Sequence, residues 1–206
     1  MDPLAPHQIQ DSLAFVGVTS LPAGAGDQFA QYLELLLRWN RRLNLTAIRD
    51  PEQIIRRHFA ESAFAAGQIP SEVRSLLDFG SGAGFPGIPI AICRPEIQVT
   101  LAEAHGKKAS FLREAVRVLG LKAEVYAGRV ETIQEERQFD AVAMRAVEKM
   151  DKAIPIASQR AQKYLIVFTT DVSASGLRAL ALGMTWAETV RLPNSQQMVL
   201  EIGRRS

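Results

Sequence analysis

Leu76-Leu77-Asp78-Phe79-Gly80-Ser81-Gly82-Ala83-Gly84-Phe85-Pro86-Gly87 reads as a buried strand running into a glycine loop and then a helix start. Leu76, Leu77 and Phe79 are apolar enough for a central strand, and Pro86 suits a first helical turn. The alternating glycines Gly80, Gly82 and Gly84 let the backbone turn tightly and, lacking a Cβ, let a ligand touch the main chain. A connection that needs only a turn rarely uses three of them, so the stretch points to a ligand site at the carboxyl end of a strand.

Two ligand chemistries fit that loop. Gly82-x-Gly84-x-x-Gly87 matches a dinucleotide fingerprint, in which a pyrophosphate sits at the helix N-terminus. Asp78, two residues before Gly80, is expected at the strand's carboxyl end with its charge toward the ligand, where it would repel a pyrophosphate and meet an ammonium. The pattern Asp-x-Gly-x-Gly-x-Gly resembles the first motif of the class I methyltransferases. Their ligand, S-adenosylmethionine, carries an amine and a sulfonium but no phosphate, and that resemblance implies it as the cofactor here.

The chain of 206 residues is long enough for one well-buried domain with an appended helical segment. Hydrophobic residues at 47% against 22% charged exclude a disordered chain. Met1-Asp2-Pro3-Leu4 lacks the basic and apolar regions of a signal peptide, and no apolar stretch is long enough to span a bilayer. A cytoplasmic address, without a membrane partner, is expected, and the chain is expected to act as a monomer. Cys93 is the only cysteine, which excludes an internal disulfide and a cysteine-built zinc site, and no metal is expected. A net charge of +2 permits an acidic partner without demanding one.

From Gln28 to Leu43 the spacing of Phe29, Leu33, Leu36, Asn40 and Leu43 predicts an amphipathic helix. Asp50-Pro51-Glu52 reads as the capped start of a second helix reaching about Ala66. The Gly- and Pro-containing segment 67–71 then marks a boundary between a packed helical extension, 1–70, and a main fold, 71–206. Beyond it strands at 73–79, 98–103, 123–126, 139–144 and 164–169 alternate with helices at 86–94, 107–119 and 149–162 and a short helix after Val130. Such βα units give an α/β fold with a mostly parallel sheet covered on both faces. Two further strand-like runs, 184–191 and 196–202, flank Leu192-Pro193-Asn194-Ser195 and predict a C-terminal antiparallel hairpin.

Glu103 ends the second strand, where a carboxylate can accept hydrogen bonds from both ribose hydroxyls of an adenosine. Val130 and Glu131, after the third strand, are candidates for the adenine edge; a helix N-terminus capped by Glu131 is the plainer alternative. Arg145 ends the fourth strand beside the crevice, either as a site residue or as a structural ion pair with Asp140 or Glu148. Arg38, Arg41, Arg42, Arg56, Arg57 and His58, with Trp39 among them, suit a phosphate-tracking surface that Lys107 and Lys108 would extend. A solvated helix face and a core tryptophan are the alternatives.

Trp39-Asn40 with Asn44-Leu45-Thr46, His58-x-x-Glu61-Ser62, the stretch from Asp78 to Pro89, Gly106-Lys107-Lys108 with Phe111-Leu112, and Arg145-Ala146 together resemble the glucose-inhibited division protein B family, the ribosomal RNA small-subunit methyltransferases G. The resemblance covers most of the chain. It implies a Rossmann-like class I fold and methylation of a guanine at its 7-position nitrogen in small-subunit (16S) ribosomal RNA, with S-adenosylmethionine as donor. It implies a cofactor pocket that includes Gly80, Phe85, Val130, Glu131 and Arg145, with Arg145 positioning rather than abstracting a proton. Two departures stand out: Glu61 where members more often have Asp, and Phe168-Thr169-Thr170-Asp171 where they commonly show Lys-Gly. A small-molecule methyltransferase of the same fold and an inert cofactor-binding assembly protein are the rival readings.

Overall fold

The computed structural model describes residues 5–206, so the signal-peptide reading of Met1 to Leu4 lies outside the described residues. The helices ahead of the sheet are α1 (Pro6–Phe15), α2 (Ala25–Leu43), α3 (Pro51–Ile54) and α4 (Ala60–Gln68), the last two joined by a π-helical turn, Ile55–Phe59. The main fold runs β1 (Ser75–Phe79), α5 (Gly87–Cys93), β2 (Gln98–Ala102), α6 (Gly106–Val118), β3 (Ala123–Tyr126), a 3₁₀ turn (Val130–Thr132), β4 (Phe139–Arg145) and α7 (Met150–Arg160). It closes with β5 (Ala161–Thr170), α8 (Asp171–Leu180), β6 (Met184–Trp186), β7 (Val190–Arg191) and β8 (Met198–Arg205). Strand order is β3-β2-β1-β4-β5-β8-β6, with β7 also on β8. The pairs among β1 to β5 are parallel, whereas β8 is antiparallel to β5, β6 and β7. The mostly parallel α/β sheet with an antiparallel finish, expected from the alternation of patterns, is therefore present.

Each strand's period of two sorts its side chains between two cores. In β1, Leu76 joins a cluster with Phe29, Tyr32, Leu36, Phe59, Ile88 and Phe111, so α1 to α6 close one face. Leu77 and Phe79 join Val142, Met144, Ile154 and Leu177 under α7 and α8 on the other. The helices ahead of the sheet thus share a core with its central strands.

Local signals act as expected at several ends. Asp50 Oδ1 accepts from the Gln53 amide at 2.9 Å and Pro51 is the first helical residue of α3. Gly120, at φ +61°, ends α6 with the Leu121 amide reaching Val116 O. Four features differ from the sequence reading. α1 was not anticipated, and neither was α8, whose Ser- and Gly-containing sequence buries only Ala174 and Leu177. The run 184–191 is broken into β6 and β7, because Thr189 donates to the buried Glu201 at 2.8 Å and accepts from Arg178 at 2.7 Å, drawing the segment off the ladder. β5 begins three residues early at Ala161, because Arg160 ends α7 by donating to the carbonyls of Ile133, Gln134, Glu135 and Arg137.

Candidate active site

The ladder aligns Phe79 with Ala102 and Met144, Ala102 with Tyr126, and Met144 with Val167. The residues after these positions, Gly80, Glu103, Ala127, Arg145 and Phe168, therefore form one row along the sheet's carboxyl edge, where open α/β sheets bind ligands.

Within the loop the glycines divide in two. Gly80, Gly82 and Gly84 all have positive φ, at +73°, +56° and +95°. A Cβ on Gly82 would meet nothing nearer than Gly80 O at 3.8 Å, so this backbone faces open space. A Cβ on Gly84 would strike Ile88 and lie 2.6 Å from the Tyr32 hydroxyl, and one on Gly87 would lie 2.5 Å from Asp78 Oδ2. Gly82 is the glycine a ligand can approach; Gly84 and Gly87 are required by packing.

Asp78 does not present its charge at the strand's edge. The alternation of β1 turns it onto the α5 face, fully buried, where Oδ2 accepts from the Gly87 amide at 3.1 Å. Burial pushes its carboxyl up to about 7, against the pull of the Ser81 and Gly87 hydrogen bonds. Its Oδ1 is buried with no partner. An aspartate therefore already occupies the amide end of α5, and Ile88 N bonds to Gly84 O, leaving no vacant N-terminus for a pyrophosphate. That favours a ligand without phosphates, and the open Gly82 backbone with the orphaned Oδ1 fits the amine-bearing cofactor.

Glu103, mostly buried, accepts from Gly82 N through Oε2 at 2.9 Å and from His105 N through Oε1 at 2.7 Å. It pins the loop to β2 and keeps a further lone pair on each oxygen for a hydroxyl. Val130 is a core side chain, so only its backbone can reach a ligand, while Glu131 is exposed.

Arg145 is held by the helices ahead of the sheet, not by Asp140 or Glu148. Its Nη2 donates to Glu61 Oε2 at 2.6 Å and to Arg57 O at 2.7 Å and lies 3.3 Å from His58 Nδ1, and Nη1 reaches Ser62 Oγ at 3.4 Å. Asp140 instead accepts from the Arg74 and Ser75 amides and pairs with Lys163. Glu61, with no exposure, also binds Arg57 Nε at 3.2 Å through its other oxygen. Guanidinium only donates, so His58 Nδ1 accepts and Nε2 carries the proton it gives to Thr46 Oγ1 at 2.9 Å. Burial, then Arg145 and Arg57, lower the His58 pKa to about 3, and its ring stacks on Phe85 at 4.5 Å. His58 is thus a neutral packing group rather than a proton acceptor.

The family described as rRNA small subunit methyltransferase G matches residues 26–187 of this sequence. The chain belongs to this family. It is similar to ribosomal RNA small subunit methyltransferase G of Methylobacillus flagellatus, 47% identical over 131 residues that cover 63% of each protein. The Roseiflexus sp. protein of that name is 48% identical over 60% of this chain and 55% of its own, and that of Xanthomonas campestris 44% identical over 66% and 64%. The chain thus aligns with somewhat under two thirds of the length of these relatives. Among solved structures it is similar in fold to a SAM dependent methyltransferase from Aquifex aeolicus, with TM-score 0.60 and 17% identity over 76% of this chain and 94% of that one. M. jannaschii TYW2 in complex with AdoMet gives TM-score 0.58 and 16% identity over 71% and 75%.

The segments on which the family resemblance rests converge in space. Asn40 clasps the Thr46 amide and carbonyl at 3.0 Å each, Thr46 holds His58, His58 stacks on Phe85 of the loop, and Arg145 closes the chain of contacts through Glu61 and Ser62. After β5, Asp171 opens α8 and pairs with Arg191 at 2.9 Å. Sequence reasoning missed Tyr32, whose hydroxyl donates to Ala83 O; its only signal was the spacing with Phe29 and Leu36.

The basic residues separate. Arg38 pairs with Glu114 at 2.6 Å, Trp39 Nε1 donates to the same carboxylate at 3.0 Å while its ring meets Phe111 edge-on, and Arg57 is bound to Glu61. Trp39 is therefore not free to stack on a base. Arg41, Arg42, Arg56 and Lys107 are exposed and Lys108 half-buried, and no ion pair holds any of them among the described residues. Helix α2 runs antiparallel to α6, with Gln28 bonded to Leu119 O and Trp39 against Phe111. One more turn of that register brings Arg42 toward Lys107 and Lys108, at the crevice end of α6.

Two outcomes follow from this geometry. Gly82→Ala is expected to fold, at a cost of about 1–2 kcal/mol for its left-handed φ, yet to weaken S-adenosylmethionine binding, whereas Gly87→Ala is expected to lower stability by about 1–3 kcal/mol or more through overpacking; denaturant unfolding with cofactor titration distinguishes them. Because the folded His58 pKa lies below the unfolded value, unfolding takes up a proton at this residue between pH 6.5 and about 3, so its own contribution to stability falls through that window by up to about 1.4 kcal/mol per pH unit, opposed by Asp78, whose raised pKa makes unfolding release a proton over much of the same range. Measured by urea unfolding across pH, the stability of His58→Asn relative to wild type should rise steadily as pH falls below 6.5 and show no pH-dependent difference above pH 7.

Proposed function

We propose that this chain methylates the 7-position nitrogen of a guanine in small-subunit ribosomal RNA, with S-adenosylmethionine as donor. The observation that carries the reading is the glycine loop of a methyltransferase G family member, open at Gly82 and set in one row with Glu103 and Arg145. Gly80 and Gly82 offer the backbone, Glu103 offers lone pairs for the ribose, and Val130 and Glu131 stand beyond β3 toward the base. Asp78 supports the amine side through the loop.

S-adenosylmethionine supplies an electrophilic methyl group on sulfur. The guanine nitrogen carries a lone pair and no proton, so the residues need only hold the reactants in line and exclude water. His58, neutral and bonded through both ring nitrogens, suits a site that removes no proton. Arg145, fixed on four partners, positions the substrate side, and a guanine must be unstacked or already exposed to reach it. Residues 71–206 act as the methyltransferase domain, residues 1–70 contribute its RNA-facing helices, and the substrate makes the protein cytoplasmic.

Mass mapping of guanine methylation in ribosomal RNA with and without the protein tests the activity, on both deproteinised RNA and small subunits. A new methylguanine in either is expected, and none in both would remove the proposal. Arg41→Gln with Arg42→Gln should weaken RNA binding and methylation and lower the slope of log affinity against log salt by about one unit per lost phosphate contact. Cofactor affinity should hold, because both arginines are solvent-exposed in the last turn of α2.

A further inference from the structure

Tyr32, on α2, is fully buried and 51 residues ahead of the loop in sequence, yet its hydroxyl donates to Ala83 O at 2.5 Å. Its ring stacks on Phe59 at 5.2 Å and 9° and leans on Phe85, the loop's own aromatic, at 5.5 Å. Burial, with Asp78 adding to it, raises the phenol pKa well above its ordinary value, so the group stays a donor.

A trans peptide points its C=O and N–H in opposite directions. Drawing Ala83 O into the core toward Tyr32 therefore turns the Gly84 N–H outward, where it bonds Ser81 O at 2.6 Å. Phe85 N joins the same oxygen at 3.1 Å, closing the turn that leaves Gly82 open, and Glu103 fixes Gly82 N from the far side. The Tyr32 hydroxyl also fills the place a Gly84 side chain would take. In the direction a Gly82 side chain would take, no described residue packs against the loop.

We propose that Tyr32 is a positioning residue for cofactor binding: acting from behind the loop, its hydroxyl holds the Ala83–Gly84 peptide in the orientation that presents Gly80 and Gly82 to the ligand. The inference rests on the reading of the loop as the S-adenosylmethionine site. It makes the helical extension part of the cofactor site rather than an RNA-binding appendage alone. Without the hydroxyl, Ala83 O is a buried acceptor with no partner, and the loop is free to populate peptide orientations that do not bind. Apparent affinity then falls in proportion to the competent fraction.

Tyr32→Phe keeps the ring and removes only the hydroxyl. Its dissociation constant for S-adenosylmethionine, measured by calorimetry well below the melting temperature, should rise roughly tenfold, the factor expected if about a tenth of the loops remain competent. The KM for the cofactor should rise similarly while kcat at saturation and the KM for RNA stay near wild type. In the ligand-free protein the amides of Gly82, Gly84 and Phe85 should exchange with solvent faster. Phe29→Leu serves as the control, because Phe29 packs on Phe59 in the same aromatic group without touching the loop, and it should lower stability while leaving affinity and loop exchange unchanged. Wild-type affinity and loop exchange in Tyr32→Phe, or the same weakening in Phe29→Leu, would overturn the proposal. A wild-type protein that binds no S-adenosylmethionine would count against the cofactor reading instead, and loop exchange would still decide the role of Tyr32.

Discussion

The carboxylate of Glu61 is where the two halves of this protein are joined. One oxygen takes Arg57 from the π-helical turn and the other takes Arg145 from the end of β4, with the carboxylate wholly out of water. Removing one member of such a buried pair costs about 3–5 kcal/mol, because the other charge is stranded. With Glu61 placed, Arg145 has a fixed direction and His58 a fixed tautomer. Burial first, and then the surplus positive charge left by two guanidiniums and one carboxylate, keep the imidazole between them neutral. The glutamate side chain is long enough to reach both cations.

The same junction explains how the loop is built. A ligand site on a glycine loop needs open backbone on one side and rigid support on the other, and one glycine cannot serve both. Here Gly82 is open, while Gly84 and Gly87 allow Tyr32, Ile88 and Asp78 to pack against the loop and the α5 start. Phe85 turns inward to lie between Tyr32, Phe59 and His58, so the support comes from α2 and the π-helical turn. A π turn widens the helix by one residue and commonly marks a functional site. Here it carries Arg56 and Arg57 on the outside and His58 and Phe59 toward the loop.

What could be read in the sequence was what is local to it. Alternating patterns located the strands and their order of use, and glycines and a cap located the loop and several helix ends. Contacts distant in sequence were not legible. For Arg145 the sequence offers a site role or an ion pair with Asp140 or Glu148, five residues before and three after, but the carboxylate that holds it lies 84 residues earlier. Asp78 looked like an edge charge because it precedes the loop. The alternation Leu76-Leu77 already implied that it turns onto the face shared with Leu76, into the core under α5. The arginines of α2 looked equivalent by composition, but Glu114 claims Arg38 and Trp39 and leaves Arg41 and Arg42 to solvent.

The chemistry ascribed to this site sets a low demand on proton transfer and a high one on shape. A nucleophile that arrives with a free lone pair gains most from being held in line with the methyl group, and misplacement by about 1 Å can cost a hundredfold in rate. The groups at the crevice match that demand. Glu103 is engaged through both oxygens, Arg145 through four partners, and His58 through both nitrogens and one ring face. Asp78 Oδ1 is the exception, a buried acceptor without a donor beneath an otherwise satisfied loop. Burial, with the Glu103 charge adding to it and Arg145 opposing, pushes its carboxyl up to about 7. A positively charged ligand over the loop would draw that carboxyl back toward its ionised form, so stability given up in the free protein is recovered on binding.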